Sequence, residues 1–241
     1  MGNRNSFLID ATPPWVEIIA TKDNRLSFVA QTVRAGGVKT REFDLVCDIG
    51  AIAEVHERQP GRLLPMFCPE RHINHDGTFC IGIRAGLNIN TREAAGAWWE
   101  KLRLFLLCQE TANSTRKWPR SAQLSHGDAG DIELIARQTA KDLDRTAELE
   151  QAILYKSGRL EDWISLFDRK RGALKNGRAS CPCGRTHTRG QPKLRRQCRK
   201  DGDQCLIVLE VQRRESEQHF WRSMEGKKCC GTMDDCPLRA A

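Results

Sequence analysis

Three short runs rich in β-branched residues crowd the first fifty positions, and only polar or glycine turns separate them. Trp15 to Ala20 is the first run, and Lys22-Asp23-Asn24 turns the chain into Leu26 to Val33, which alternates apolar and polar residues. Ala35-Gly36-Gly37 closes that run and Phe43 to Ile49 supplies a third. Strands joined by such short connections make an antiparallel meander. Cys47 alternates onto the apolar side of the third run and reads as core.

Helical periodicity takes over further on. Asn90-Thr91-Arg92-Glu93 forms a capping box with Asn90 as N-cap. The helix it opens runs to about Cys108, with Ala94, Ala95, Trp98, Trp99, Leu102, Phe105 and Leu106 at helical spacing. Trp98 and Trp99 lie about 100° apart on such a helix and cannot point the same way. A second amphipathic pattern covers Ile132 to about Leu154, and Arg159 to Leu174 is a further helical piece. Strands first and helices afterwards argue for an α+β fold, a meander packed on helices.

Between strands and helices the chain turns irregular. Ala51 to Pro60 is polar, and Leu63-Leu64-Pro65-Met66-Phe67 is an extended approach that its proline keeps out of a central strand. It leads into Pro69-Glu70-Arg71-His72-Ile73-Asn74-His75-Asp76-Gly77-Thr78-Phe79-Cys80. Two imidazoles and an amide precede an Asp-Gly turn, and the turn delivers a cysteine next to Ile81-Gly82-Ile83. A thiol attacks only as thiolate and titrates ordinarily near about 8.5, so access and neighbouring hydrogen-bonding groups decide its reactivity. The same cysteine also fits a small buried hydrophobe. Cys68, beside Pro69, either joins the chemistry or packs beneath the loop.

This segment resembles the active-site stretch of ubiquitin-conjugating enzymes: His-Pro-Asn-Ile, a few turn residues, then Gly-x-Ile-Cys-Leu. Ile73, Gly77 and Cys80 match the isoleucine, the glycine and the thiol, with Phe79 before the thiol. Glu70-Arg71-His72 stands where His-Pro-Asn is usual, so His72 falls on the asparagine linked to the oxyanion. Asn74 lies two residues later and can take that part. The chain is most similar to divergent bacterial members of the family, which occur in antiphage defence operons beside a ubiquitin-like protein and an activating enzyme. The resemblance implies a catalytic domain over residues 1–155 that carries a ubiquitin-like protein on Cys80 as a thioester and passes it to an amine of a protein target. Asn74 or His72 would serve the oxyanion, and His75 or His126 would ease proton loss from the amine. His126 sits with Asp128 in a glycine-flanked loop, Leu124 to Gly130, which also reads as a plain surface loop ahead of a helix.

Residues 156–179 read as a helical, basic linker, and at Ser180 the texture changes. Cys181-Pro182-Cys183-Gly184 is a tight thiolate knuckle, and Cys198, Cys205, Cys229, Cys230 and Cys236 follow, with His187 nearby. Leu206 to Val211 reads as a strand and is followed by a helix-like run to about Met224. Four tetrahedral ligands on zinc can replace a core too small to fold alone, so 180–241 is expected to be a small domain stabilised by structural zinc. The tail resembles a split form of the zinc motif that opens Cys-Pro-Cys-Gly and closes Lys-Lys-Cys-Cys-Gly, which favours Cys181, Cys183, Cys229 and Cys230. Cys198, with His187 as a further option, offers an alternative that leaves Cys205 and Cys236 for a second site.

Composition narrows the functions. Eleven cysteines in a chain of 241 residues, with no apolar run near the ~20 residues of a membrane span, point to thiol chemistry and metal in the cytoplasm rather than to disulfides or a membrane. The formal charge is +8, and twelve Lys or Arg with no acid lie between Arg169 and Lys200. That block fits an acidic partner, nucleic acid or protein, as well as a solvated surface. Three functions stay open from residues alone. They are conjugation through Cys80, a basic zinc module gripping nucleic acid on an inactive scaffold, and a cysteine hydrolase using Cys80 with His72 or His126.

Overall fold

The computed structural model describes residues 4–197 and 205–240. They divide into two compact units: residues 1–122 together with 226–241, and residues 123–225.

In the first unit, β1 (Val16–Lys22), β2 (Arg25–Ala30), β3 (Phe43–Ile49) and β4 (Ala53–Glu57) form one antiparallel sheet in sequence order. β2 and β3 pair without a slip, setting Leu26 opposite Cys47, Phe28 opposite Leu45 and Ala30 opposite Phe43. All six are fully buried. A one-residue shift would turn that whole face to solvent, so burial fixes the register. β4 falls within a stretch expected to be a polar loop. Its Ala53 and Val55 alternate inward, but the third inward residue is Glu57, a charge that hides the period.

Helix α1 (Arg4–Asp10) and helix α2 (Arg92–Thr115) back the sheet. Trp99 of α2 meets Phe28 edge-on at 5.1 Å and donates its indole N–H to the Leu8 carbonyl of α1 at 2.9 Å. Trp98 stacks edge-on against Trp99. The N-cap is Thr91, one residue after the expected Asn90, and its hydroxyl accepts from the Ala94 N–H at 3.1 Å. The helix also runs two turns past Cys108. The buried residues there are Gln109, Glu110 and Ala112, which break the apolar stripe.

The second unit holds α3 (Ala129–Asp142), α4 (Thr146–Tyr155), α5 (Arg159–Ile164), a two-residue hairpin β5 (Phe167–Asp168) and β6 (Ala173–Leu174), and α6 (Leu206–Ser223). Three expectations change here. The pattern from Ile132 to Leu154 is two helices, broken where Asp144 enters the left-handed region at φ 54°. The piece from Arg159 stops being helical at Ile164 and continues as the hairpin. Leu206 to Val211 opens α6 instead of forming a strand. Leu206 to Val211 are all buried, so this helical turn is apolar all round apart from Glu210 and shows no helical period. Among the described residues no helix is long and apolar enough to cross a membrane.

Candidate active site

The segment that carries Cys80 is built almost wholly from backbone hydrogen bonds within the first unit. Buried Glu57, at the end of β4, accepts from the Leu63 and Leu64 N–H groups at 3.0 and 3.2 Å and so fixes the approach. Cys68 and Ile73 exchange N–H···O bonds of 3.1 and 3.0 Å around a single 3-10 turn, Pro69–Arg71. His72 caps that turn in the left-handed region, φ 53°, donating its N–H to the Pro69 carbonyl at 2.7 Å. Proline at the first turn position suits it, since proline has no N–H to leave unpaired.

A second turn follows at once. Asn74 N–H donates to the Thr78 carbonyl at 2.8 Å and Gly77 N–H to the Asn74 carbonyl at 3.0 Å. Gly77 takes φ 83°, which a side chain would strain. The Thr78 hydroxyl and N–H both donate to Asp76 Oδ1, at 2.7 and 2.9 Å, and hold that carboxyl below its usual range. Phe79 N–H reaches the Val55 carbonyl of β4 at 2.8 Å, and the Phe79 ring stacks on Phe105 of α2 at 4.8 Å. Cys80 N–H then donates to the His72 carbonyl at 2.8 Å. Thus Cys80 sits on a segment sewn to sheet, helix and its own upstream turn.

Its thiol is half-buried. Burial raises its pKa, and the Gly82 N–H pulls the other way without cancelling the rise. Asn74 and His75 are exposed beside the turn. Asn74 Nδ2 donates to the Thr78 hydroxyl at 3.0 Å, and the His75 ring lies 5.6 Å from Phe67. His72 differs: its side chain is buried and its ring lies 5.0 Å from Trp118. Its carbonyl accepts the Cys80 N–H. His126 belongs to the second unit. There its Nδ1 lies 2.7 Å from Glu217 Oε1, its N–H donates to Glu217 Oε2 at 2.8 Å, and its ring stacks on Phe220.

Two residues outside the expected set hold this segment in place. Arg71, 1% exposed, donates to Gln109 Oε1, to the Gln109 carbonyl and to the Thr232 hydroxyl. Gln109 answers through Nε2 to the Arg71 carbonyl. Nothing in their spacing marks them, because one lies in a loop and the other on a long helix.

The thiols proposed as metal ligands are placed in separate units. Cys181 and Cys183 lie in the second unit, their sulfurs 2.9 Å apart, in an apolar core that also buries Cys205. His187 faces Gln197 at 3.4 Å. Cys198 lies outside the described residues. Cys229 and Cys230 belong to the first unit, where Cys230 Sγ lies 2.9 Å from Cys68 Sγ. With Cys68 keeping its proton, the hydrogen bonds that Cys68 and Thr232 give to the Cys230 sulfur draw it down to about 5. Among the described residues no group of three or more His, Cys, Asp or Glu side chains stands gathered to hold a metal ion.

Two family models match in succession. Residues 16–120 match a prokaryotic E2 domain, and residues 125–238 match a cysteine-rich domain described as C-terminal to the E2 domain. No curated protein and no solved structure matches the chain.

Proposed function

The chain belongs to the bacterial E2-like proteins in which a cysteine-rich domain follows the conjugating-type domain, and on that footing we propose that Cys80 carries a ubiquitin-like protein as a thioester. An activating enzyme would present the C-terminal carbonyl of that protein on its own sulfur. The Cys80 thiolate attacks this carbonyl, a new C–S bond forms, and the activating enzyme's sulfur leaves as thiolate. An amine of the protein target then attacks in turn, forms a C–N bond, expels the Cys80 sulfur and gives its proton to a base.

The observation that carries this reading is the setting of Cys80. It is half-buried at the end of a hydrogen-bonded turn, and its thiol has no sulfur partner among the described residues. Cys47 and Cys68, by contrast, are buried. The Asn74 side chain, exposed beside the turn, is the donor we assign to the oxyanion, and His75 is the nearby exposed base in sequence. His72 acts here as a positioning residue through its carbonyl bond to Cys80 N–H. His126 would enter the chemistry only by giving up Glu217.

The cysteine-rich part is compatible with structural zinc, and we assign it the recruitment of target or activating enzyme. We infer a cytoplasmic reaction, since ATP-dependent activation and reduced thiols suit that compartment, and antiviral conjugation fits the bacterial family. The basic block is partly neutralised within its own unit, since Arg169 pairs with Glu215 and Arg171 with Asp168.

The decisive experiment mixes the chain with ATP, a cognate activating enzyme and its ubiquitin-like protein and resolves the products without reductant. A thiol-sensitive adduct is expected, lost in Cys80→Ala and replaced by a thiol-resistant ester in Cys80→Ser. An adduct that survives Cys80→Ala would sink the assignment. Salt-sensitive binding to nucleic acid with no adduct would favour the binding-module reading.

A further inference from the structure

We propose that Lys101 is a built-in acceptor for this chain's own chemistry: its ε-amine takes the acyl group from Cys80, leaving the ubiquitin-like protein on Lys101 through an isopeptide bond. The inference rests on Cys80 as the acyl carrier and names a modification site beside it.

Lys101 stands on α2 alongside the segment that leaves Cys80. Gly82 lies two residues past Cys80, no more than about 7 Å from it along the chain. It takes φ 145° and has no side chain. A β-carbon there would meet Lys101 Cδ at 3.6 Å and Cε at 3.9 Å. The lysine stem thus runs against the bare face of Gly82, and its nitrogen is one bond beyond Cε. Such a four-carbon stem is flexible, so rotation about its bonds can carry the amine towards an acyl carbonyl on Cys80.

Helix and segment are held in register. Phe105, one helical turn past Lys101, stacks at 4.8 Å on Phe79, the residue before Cys80. Ala85 N–H donates to the Gly82 carbonyl at 3.1 Å, and Ala53 N–H of β4 donates to the Gly86 carbonyl at 3.0 Å, so the segment is tied to the sheet as well. The two elements therefore touch at Phe79–Phe105 and at Gly82–Lys101, on either side of Cys80 in the chain.

The amine is also available. Lys101 is exposed, and the positions three and four away on α2 are Ala97, Trp98, Leu104 and Phe105, none of them an acid that could hold it. Glu100 is engaged by Arg103 at 2.6 Å. Among the described residues no ion pair or hydrogen bond engages Lys101, whereas Lys117 reaches Asp235 at 3.6 Å. In the transfer, Nζ attacks the thioester carbonyl carbon, a C–N bond forms, the C–S bond breaks and Cys80 leaves as thiolate. Two protons leave the nitrogen, one before the attack and one after, and pass to water or to the departing sulfur. A tethered amine works at an effective concentration of about millimolar, so it competes with the dilute amines of a target.

The test uses the full chain and a small probe, the thioester of N-acetylglycylglycine with mercaptoethanesulfonate, at about pH 8.5 so that thiolate is present. Exchange of sulfur places the dipeptide on Cys80, and peptide mapping by mass spectrometry follows both residues over time. The expected course is a hydroxylamine-sensitive adduct on Cys80 that decays as a hydroxylamine-resistant amide grows on Lys101. In Cys80→Ala the amide should fall tenfold or more. In Lys101→Arg the Cys80 adduct should still form and should last at least about threefold longer. Lys22→Arg, at the end of β1, should change neither. A Cys80 adduct that persists with no enrichment of amide on Lys101 overturns this inference alone, as does an equal amount of Lys101 amide in Cys80→Ala. A Cys80 that accepts no acyl group overturns the carrier reading as well.

Discussion

Arg71 and Gln109 hold each other from both ends. Arg71 Nε donates to Gln109 Oε1 at 2.8 Å, and Gln109 Nε2 donates to the Arg71 carbonyl oxygen at 2.7 Å. One residue is the last of the 3-10 turn beneath Cys80 and the other lies deep in α2, so the pair fastens the reactive segment to the main helix. The Cys80 N–H depends on the next residue along, since its acceptor is the His72 carbonyl.

Replacing Gln109 by Leu keeps the bulk and removes both bonds, leaving a buried guanidinium short of an acceptor. Hydrogen bonds to charged groups contribute about 1.5–3 kcal/mol each, so Gln109→Leu should cost about 2–4 kcal/mol in urea unfolding. Alkylation of Cys80 should rise at the same time as its segment loosens. Unchanged stability would mean that the pair does not hold the loop.

Two glycines give a paired prediction. A β-carbon on Gly86 would stand 2.3 Å from the Ala53 carbonyl oxygen at the start of β4. Backbone cannot yield as a side-chain tip can, so Gly86→Ala should destabilise the first unit by about 2–4 kcal/mol. Gly96 lies inside α2, and a β-carbon there would meet nothing within 4 Å. Gly96→Ala should stabilise by about 0.5–1 kcal/mol. Thermal melts of the two variants side by side decide this, and equal shifts would contradict it.

The thiol of Cys80 sets a pH dependence. Burial raises its pKa, so the thiolate fraction at neutral pH is smaller than for a free cysteine near about 8.5. Iodoacetamide should therefore modify Cys80 slowly at pH 7, the rate climbing about tenfold per unit and levelling only above the ordinary thiol range. Urea should speed the neutral-pH rate by exposing the thiol. A plateau already reached below pH 8 would show instead a thiolate stabilised in the resting protein.

The sequence made the meander and the Cys80 turn legible because both rest on local rules. Alternation gives β2 and β3, and Asp76-Gly77 gives the turn. What stayed hidden has no local signature. β4 is masked by inward Glu57, whose charge is matched by the Leu63 and Leu64 N–H groups six and seven residues on, in the irregular approach to the turn. The apolar opening of α6 imitates a strand because its partners surround it on every side. The knuckle pattern joined Cys229 and Cys230 to Cys181 and Cys183 by motif, whereas burial and contact set Cys230 against Cys68, more than a hundred and fifty residues earlier. Spacing along a chain cannot report a partner supplied by tertiary structure.

His126 provides the sharpest separation of a structural from a chemical role. Its imidazole and N–H both engage Glu217, and Phe220 and Trp221 enclose the ring. Burial alone would raise the Glu217 carboxyl, but the His126 hydrogen bond and charge outweigh it and hold the pKa below its usual value. A carboxyl depressed on folding contributes stability that is present above its unfolded pKa, about 4.3, and lost as pH falls through the folded value. Urea midpoints measured from pH 7 down to pH 3 should therefore decline on the acid side in the wild type and decline less in His126→Ala. At pH 7 that variant should be weaker by about 1–3 kcal/mol. If His126 only holds α6, thioester formation on Cys80 and its discharge to lysine stay within a few-fold of wild type while the protein remains folded. If discharge collapses with the acid limb and the midpoint unchanged, the imidazole acts on the amine, and the Glu217 bond is the resting position it leaves to do so.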